Sequence, residues 1–397
     1  MPELNGGDTA WMLVATALVM VMLPGLALFY GGLVRRKNVL STIMHSFFGL
    51  ALVSVVWVLI GFSLAFGSDI TGLGLIGGPD FLGFTNVGLA PHPVYGTTIP
   101  FVLFAGFQLM FAAITPALIS GAFAERKRFR SFVIFTVLWS LLVYSPIAHW
   151  VWATDGWLYQ LGALDFAGGT VVHASSGVAA LVADLAIGNR ASNGDRMEPH
   201  DIPMTVLGAG LLWFGWFGFN AGSALTAGGL AANALVVTNT AAGAATISWV
   251  VVSYFHRGKV SVLGAACGAV AGLVAITPAS GFVTAGGAVV IGLAVGGICY
   301  SATLLRERLR IDDALDVFAV HGVGGVFGAI ATGVFATTAV NAYPGLVDGN
   351  AGQLATQAIA VGAVVAYAAV ATLVIIKVVD FVLGLREIGR ASCRERV

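Results

Sequence analysis

Long apolar runs separated by short polar segments fill this chain to about residue 384. A helix needs about 20 mainly apolar residues to cross the hydrocarbon core of a bilayer. By that measure the pattern predicts about eleven membrane-spanning helices. Their expected bounds are 9–32, 40–66, 97–122, 131–153, 168–188, 203–220, 228–255, 261–277, 282–305, 314–338 and 353–384. The predicted fold class is therefore an all-α polytopic membrane protein.

The positive charges test this count, because the cytoplasmic loops of membrane proteins collect Lys and Arg. Basic clusters follow every odd-numbered run, and the loops between the other runs contain no Lys or Arg. The clusters are Arg35–Lys37, Arg126–Arg130, Arg190 with Arg196, Arg257 with Lys259, Arg306–Arg310 and the tail from Arg386. One missed or invented helix would place some of them on the wrong side. The pattern thus predicts an N-terminus outside and a C-terminus inside.

Composition excludes a water-soluble protein, because 58% of the residues are hydrophobic and only 10% are charged. The 3 cysteines are too few and too scattered for a disulfide framework or a metal site. We therefore expect neither a metal nor a cofactor. No basic segment precedes the first apolar run, so we expect the first helix to be retained. The basic run after residue 125 is an inner-face anchor rather than a nucleic-acid patch.

Three short segments recur in the same order along the chain. They are Ala113–Ala117 and Ala275–Ala279, Phe29–Gly32 and Phe219–Gly222, and Ala163–Asp165 and Ala314–Asp316. The spacing indicates a five-helix repeat, with halves at about 9–188 and 203–338 and an extra helix at about 353–384. Because five is odd, the second copy must cross the membrane inverted, and a substrate site is expected at the interface of the halves.

His173 and His321 lie inside the fifth and tenth predicted spans. An ionisable group within a membrane span costs a few kcal/mol or more, so its default interpretation is functional. His173 lies about seven residues from the outer end of its span and His321 about eight from the inner end of its own, which makes each roughly 10 to 12 Å deep. Small residues beside each histidine let the two helices approach. We expect the two imidazoles to meet near the midplane.

Several motifs resemble those of the ammonium transporter family (Amt/Mep/Rh), most closely its bacterial Amt-like members. They are Gly162–His173, Gly215–Ser223, Asp316–Gly322, Leu28–Gly32 and Gly121–Arg126. The resemblance covers about residues 9–386 and implies one membrane domain over 1–386. It further implies a transporter rather than an enzyme, and a multi-pass protein of the plasma (inner) membrane. The implied assembly is a homotrimer in which each subunit has its own pore between the half-repeats.

The resemblance also implies an outer site where ammonium is recruited. Trp152 and Phe111 would supply aromatic faces that attract a cation, by about 0.5 to 2 kcal/mol for each contact. Ser223 would accept an N–H that potassium lacks. Phe111 and Phe219 would form the stacked ring pair that closes the outer vestibule from the pore.

Beyond the rings, the resemblance places His173 and His321 as paired imidazoles that line a narrow lumen. A bare cation would meet a large desolvation cost there, and ammonium avoids that cost by giving up its proton. Neutral ammonia would then pass along the imidazole nitrogens, each able to donate or accept according to tautomer. Whether the proton follows over the same histidines stays open at this point.

Asp165 has two interpretations that the sequence leaves open. It either supports the cation and its deprotonation at the outer site, or it caps the N-terminus of the fifth helix, since Asp is a favoured cap. Asp316, its expected counterpart in the second repeat, is predicted to cap the tenth helix or to anchor the inner loops.

Two function classes other than transport deserve comparison. An ammonium sensor would use the same pore, but no signalling domain follows the last predicted span. An intramembrane enzyme is disfavoured because neither His-Glu-x-x-His nor Gly-x-Ser-x-Gly lies on any span. Among transporters, carbon dioxide is the alternative substrate through the Rh branch.

The last residues depart from the family pattern. The segment 387–397 can be back-translated into sequencing-adapter DNA, so we expect it to be non-native and the native cytoplasmic tail to be missing. Resequencing the locus tests this expectation, because a native stop codon directly after Val397 would contradict it. The resemblance implies a trimeric PII-type regulatory partner that would act through such a tail.

Overall fold

A computed structural model describes residues 3–124, 126–189 and 199–385. Ten of its helices are long and apolar enough to cross a membrane, and an eleventh is apolar but shorter. In chain order the helices are α1 Gly6–Leu33, α2 Arg36–Phe66, α3 Phe101–Ala122, α4 Phe129–Gln160, α5 Gly169–Ile187, α6 Ile202–Gly222, α7 Gly229–Arg257, α8 Val262–Ile276, α9 Ala285–Arg308, α10 Phe318–Phe335 and α11 Ala351–Leu383. An isolated bridge joins Asp69 and Gly77, and the described residues form no β-strand. The predicted all-α membrane class is confirmed.

The short helix is α8, which has 15 residues and is about 22 Å long. The recurring Ala-Ile-Thr-Pro-Ala motif lies at its end. In α8 the helix stops two residues before Pro278, although Thr277 keeps helical φ and ψ of −53° and −50°. In α3 the same motif stays helical through Pro116. Thr115 Oγ there donates to the Phe111 carbonyl at 2.6 Å.

The first turns of α5 and α10 are π-helical and contain the two histidines. The wide turns cover Gly169–Ala174 and Phe318–Val323. Such turns are rare in soluble and membrane helices and cluster at functional sites. Because α5 begins at Gly169 and α10 at Phe318, His173 and His321 lie nearer to the start of their helices than the sequence pattern indicates.

Helices α5 and α10 touch through their backbones. A Cβ atom added to Gly177 would lie 2.1 Å from the Gly322 nitrogen, and one added to Gly325 would lie 2.8 Å from the Ala174 nitrogen. Only glycine permits such an approach, which is the small-residue packing expected between membrane helices. This contact brings the two wide turns, and the histidines in them, face to face.

Some of the sequence expectations fall outside the described residues. The tail expectation and the PII-type partner that depends on it concern residues 387–397, which follow the last described residue, Leu385. The basic residues Arg190 and Arg196 lie in the segment 190–198.

Candidate functional site

The two histidines meet inside the protein. His173 Nδ1 lies 3.2 Å from His321 Nδ1, and the ring centroids are 5.3 Å apart. Both residues are buried. A hydrogen bond between two Nδ1 atoms requires that one donates and the other accepts, so a neutral pair consists of opposite tautomers. One Nε2 is then an N–H donor and the other a bare acceptor, which gives a small polar molecule both kinds of partner.

Aromatic rings cover His173 from one side. The indole of Trp216 stacks on the imidazole with centroids 5.3 Å apart, and the Phe219 ring follows at 5.9 Å. Trp216 Nε1 donates to Thr277 Oγ at 2.8 Å, which fixes the indole plane. Sequence reasoning gave Trp216 no role. Its spacing of three residues from Phe219, on one helix face, was the signal that could have found it.

The residues predicted for the outer site line a cavity of about 210 Å³, which is called the outer cavity after that prediction. Trp152, Phe111 and Ser223 all line it, as the resemblance implies. The Phe111 ring lies 5.9 Å from Trp152, edge to face, and 4.3 Å from Phe219. Trp152 Nε1 donates to the Asp165 carbonyl at 3.0 Å. The indole therefore offers its ring, and not its N–H, to the cavity.

A larger cavity of about 1140 Å³ reaches the histidine pair from the other side and is lined by His321, Val320 and Tyr30. Its wider part carries basic and acidic side chains together, including Arg306 and Asp316. Tyr30, which sequence reasoning quoted only as part of a motif, donates its hydroxyl to the Leu118 carbonyl at 3.0 Å.

The rings make a continuous row between the two cavities. The row begins with Phe111 at the outer cavity, continues through Phe219 and His173, and ends with His321 at the larger cavity. In that row only the two imidazoles carry hydrogen-bonding groups. His173 Nε2 is buried and has no hydrogen-bond partner among the described residues. An enclosed nitrogen of this kind is a ready contact for a small polar molecule.

Asp165 holds the start of α5 with both carboxylate oxygens. They accept from the backbone N–H groups of Gly168, Gly169, Thr170 and Val171 at 2.6 to 3.2 Å, and from the Thr170 hydroxyl. Burial raises the pKa of Asp165, and these hydrogen bonds oppose the rise. These contacts fit the cap interpretation, because the N–H groups at a buried helix N-terminus need acceptors.

The expected pairing of Asp165 with Asp316 is wrong. Asp313 Oδ2 accepts from the Phe318 N–H at 2.7 Å, at the start of α10. Asp313 precedes His321 by eight residues, as Asp165 precedes His173. Asp313 is therefore the cap, and the repeated Ala-Leu-Asp triplet had set the alignment off by three residues.

Asp316 takes the place of Gly168 in this alignment. Both residues have a left-handed backbone, with φ of 53° and 108°. Asp316 Oδ1 lies 2.7 Å from Arg306 Nε. Asp316 therefore ties the segment before α10 to Arg306 near the end of α9.

Asp313 gives a pH-dependent stability. Burial raises the pKa of Asp313 from its ordinary value of 3.8 to about 7, and the neighbouring Asp316 carboxylate adds to the rise while Arg306 opposes it. Because the folded state favours the protonated acid, its contribution is fully present below 3.8 and is lost as the pH rises through about 7. We expect the melting temperature of the wild type in detergent to fall relative to Asp313→Asn between pH 5 and pH 8. Parallel profiles for the two proteins would contradict this assignment.

Comparison with known proteins decides the family. The sequence model described as the Ammonium Transporter Family matches residues 10–390. The chain belongs to this family. The resemblance that the motifs indicated is thereby confirmed, and the protein belongs to a family of transporters rather than of enzymes. Within the described ranges no group of three His, Cys, Asp or Glu side chains could hold a metal ion.

Relatives of this ammonium transporter family member extend over nearly its whole length. It is 52% identical to the ammonium transporter of Bacillus subtilis over 96% of this chain and 93% of that protein. It is 48% identical to the ammonium transporter Amt1 of Archaeoglobus fulgidus, over 96% of this chain and 95% of that one. Among solved structures, Saccharomyces cerevisiae Mep2 superposes with a TM-score of 0.92 at 38% identity and covers 98% of this chain and 90% of its own.

Proposed function

We propose that this protein transports ammonium across the membrane and conducts it as ammonia past the histidine pair. The relatives named above as ammonium transporters support the substrate. The observation that carries the proposal is the row of rings between two cavities, in which His173 and His321 touch at 3.2 Å. A site that passes one small polar molecule needs just such a narrow, mostly apolar passage with few hydrogen-bonding groups.

Recruitment takes place in the outer cavity. The rings of Trp152 and Phe111 attract the cation, and Ser223 offers its oxygen. Ser223 Oγ donates to the Phe219 carbonyl at 2.8 Å, which leaves its lone pairs for an N–H of the substrate. Asp165 contributes by holding the start of α5 in place. Its own backbone carbonyl is the acceptor for Trp152 Nε1.

Deprotonation follows from the cost of entering the ring pair. Phe111 and Phe219 leave no polar atom between their faces, and a bare ion in such surroundings pays several kcal/mol of desolvation. Neutral ammonia escapes this cost and finds a donor and an acceptor at the two imidazoles. The proton either stays outside or crosses by the same nitrogens, and a current that accompanies uptake distinguishes the second route.

The architecture that supports this route is an inverted repeat. We propose that all eleven helices, the short α8 included, cross the plasma (inner) membrane with the N-terminus outside, as two half-repeats and the extra helix α11. Two features support the repeat. Each half has a π-helical turn that contains a histidine, and each histidine follows a capping aspartate by eight residues. We further propose a homotrimer with one pore in each subunit, on the family resemblance.

The orientation predicts which residues an impermeant reagent reaches. Leu89 lies in the loop between α2 and α3 and is 78% exposed, and Val260 lies between α7 and α8 and is 63% exposed. We expect Leu89→Cys to be labelled by an impermeant maleimide in intact cells and Val260→Cys only after permeabilisation. Labelling of both in intact cells, or the reverse order, would contradict the proposed topology.

Growth tests the substrate. The protein is expressed in cells that lack their own ammonium transporters and grow on limiting ammonium at acidic pH, where free diffusion of ammonia is slow. We expect growth to be restored, and restored growth to be lost with excess methylammonium as a competitor. Failure of a correctly inserted protein to restore growth would refute the proposal.

A sensor function remains the second candidate. The solved structure titled Sensor Amt Protein superposes on this chain with a TM-score of 0.89 at 31% identity. A protein that binds ammonium but gives no flux would favour this second function.

A further inference from the structure

We propose that the side-chain carbonyl of Gln108 is a hydrogen-bond acceptor for ammonium in the outer cavity and favours ammonium over potassium. This inference rests on the ammonium transport proposed above and deepens it. Gln108 lines the outer cavity together with Phe111, Trp152 and Ser223. It precedes Phe111 by three residues on α3, so the two side chains leave the same face of the helix. The amide thus lies beside the ring that closes the cavity.

The amide oxygen lacks a donor. Gln108 Oε1 is enclosed and accepts no hydrogen bond from any residue that the structure describes. An enclosed acceptor of this kind is unfavourable until a donor reaches it, and buried acceptors in folded proteins nearly always have one. A ligand that brings an N–H into the cavity satisfies the oxygen. Ammonium brings four.

Two other polar groups of the cavity already have partners for their hydrogens. Trp152 Nε1 is committed to the Asp165 carbonyl at 3.0 Å, and the Ser223 hydroxyl hydrogen to the Phe219 carbonyl at 2.8 Å. The serine oxygen therefore accepts, as does Gln108 Oε1. The rings offer attractive faces but no lone pairs. A cation in the cavity meets these two oxygens among aromatic faces, and the hydroxyl-bearing residues Tyr95, Thr154 and Tyr159 also line the cavity.

This arrangement suits ammonium better than potassium. Ammonium points its hydrogens in fixed directions, so two oxygens and neighbouring ring faces can take them up. Potassium has no hydrogens and is bound well only where oxygens replace its hydration shell on all sides, as in rings of carbonyls. Loss of the Gln108 oxygen removes a charge-assisted hydrogen bond from ammonium, whereas potassium loses only part of an already incomplete shell.

The experiment measures initial rates of ammonium uptake into proteoliposomes, with potassium as competitor. For Gln108→Leu we expect KM for ammonium to rise about tenfold, as a lost hydrogen bond to a charged group implies. The maximal rate should stay within about twofold, because the ring pair and histidines are unchanged. Gln108→Glu keeps an acceptor and adds a charge, so KM stays near that of the wild type while potassium competes more strongly.

The matched control is Gln353→Leu. Gln353 lies on α11, and its amide donates to the Gly162 carbonyl at 2.9 Å. We expect this variant to keep both KM and potassium competition. If the wild type takes up ammonium, unchanged KM and unchanged potassium competition in Gln108→Leu would overturn the role of Gln108 and leave the transport proposal intact. A wild type without ammonium uptake would overturn both. If Gln108→Leu does not fold, Gln108→Glu decides, and unchanged potassium competition in it would overturn the role of Gln108.

Discussion

Replacement of both His173 and His321 by alanine is expected to lower ammonium uptake about tenfold or more. The two imidazoles are the hydrogen-bonding groups of the ring row, and their Nδ1 atoms touch at 3.2 Å. Alanine at both positions leaves an apolar passage in which ammonia loses its only partners. Each single variant also breaks the pair, so we expect each to lose most of the uptake that the double variant loses. The second substitution should then add little. The measurement is uptake by proteoliposomes that contain equal amounts of folded protein.

His256→Ala is the matched control for the pair. His256 lies on α7, where its Nδ1 is 2.8 Å from the Tyr300 hydroxyl, and it is exposed. We expect this variant to transport like the wild type. Unchanged flux and unchanged selectivity in the double pore variant would remove the histidines from the mechanism.

Gly177→Ala is expected to reduce both stability and transport, although it lies outside the ring row. An added Cβ would lie 2.1 Å from the nitrogen and 2.3 Å from the Cα of Gly322. These are backbone atoms, so α5 and α10 must separate. Overpacking in a tight core costs about 1 to 3 kcal/mol. The separation also pulls the histidine rings apart. We expect a lower melting temperature in detergent together with a loss of uptake.

Gly210→Ala isolates the effect of this contact. Gly210 lies within α6, and an added Cβ there meets nothing within 4 Å. Because alanine is the better helix former, Gly210→Ala is expected to keep or raise the melting temperature and to keep uptake. A Gly177→Ala protein as stable and as active as Gly210→Ala would show that the close approach of α5 and α10 does not position the pore.

The apolar pattern predicts much of this fold because membrane helices need a minimum apolar length and little else. The apolar pattern could not predict the π-helical turns, because hydropathy reports which residues are apolar and not how many residues a turn contains. The length of α8 was within its reach, because the expected bounds of 261–277 differ from Val262–Ile276 by one residue at each end.

The site was predicted in kind, and partly through the family resemblance. Phe111, Trp152 and Ser223 share one cavity, and His173 and His321 meet as the inverted repeat predicts. Trp216 and Gln108 were missed because each is one more apolar or polar residue in a helix until its neighbours in space are known. Asp313 was missed because a three-residue match in an Ala-rich and Leu-rich chain fixes a repeat less firmly than the shared offset to the histidine.

The most direct test of ammonium conduction is an ammonium pulse applied to proteoliposomes, with internal pH and current recorded together. Potassium and water pulses serve as controls on the same vesicles. We predict a pH change or current with ammonium that exceeds that of empty vesicles, and none above that background with potassium. Equal permeability to potassium and ammonium would contradict the account.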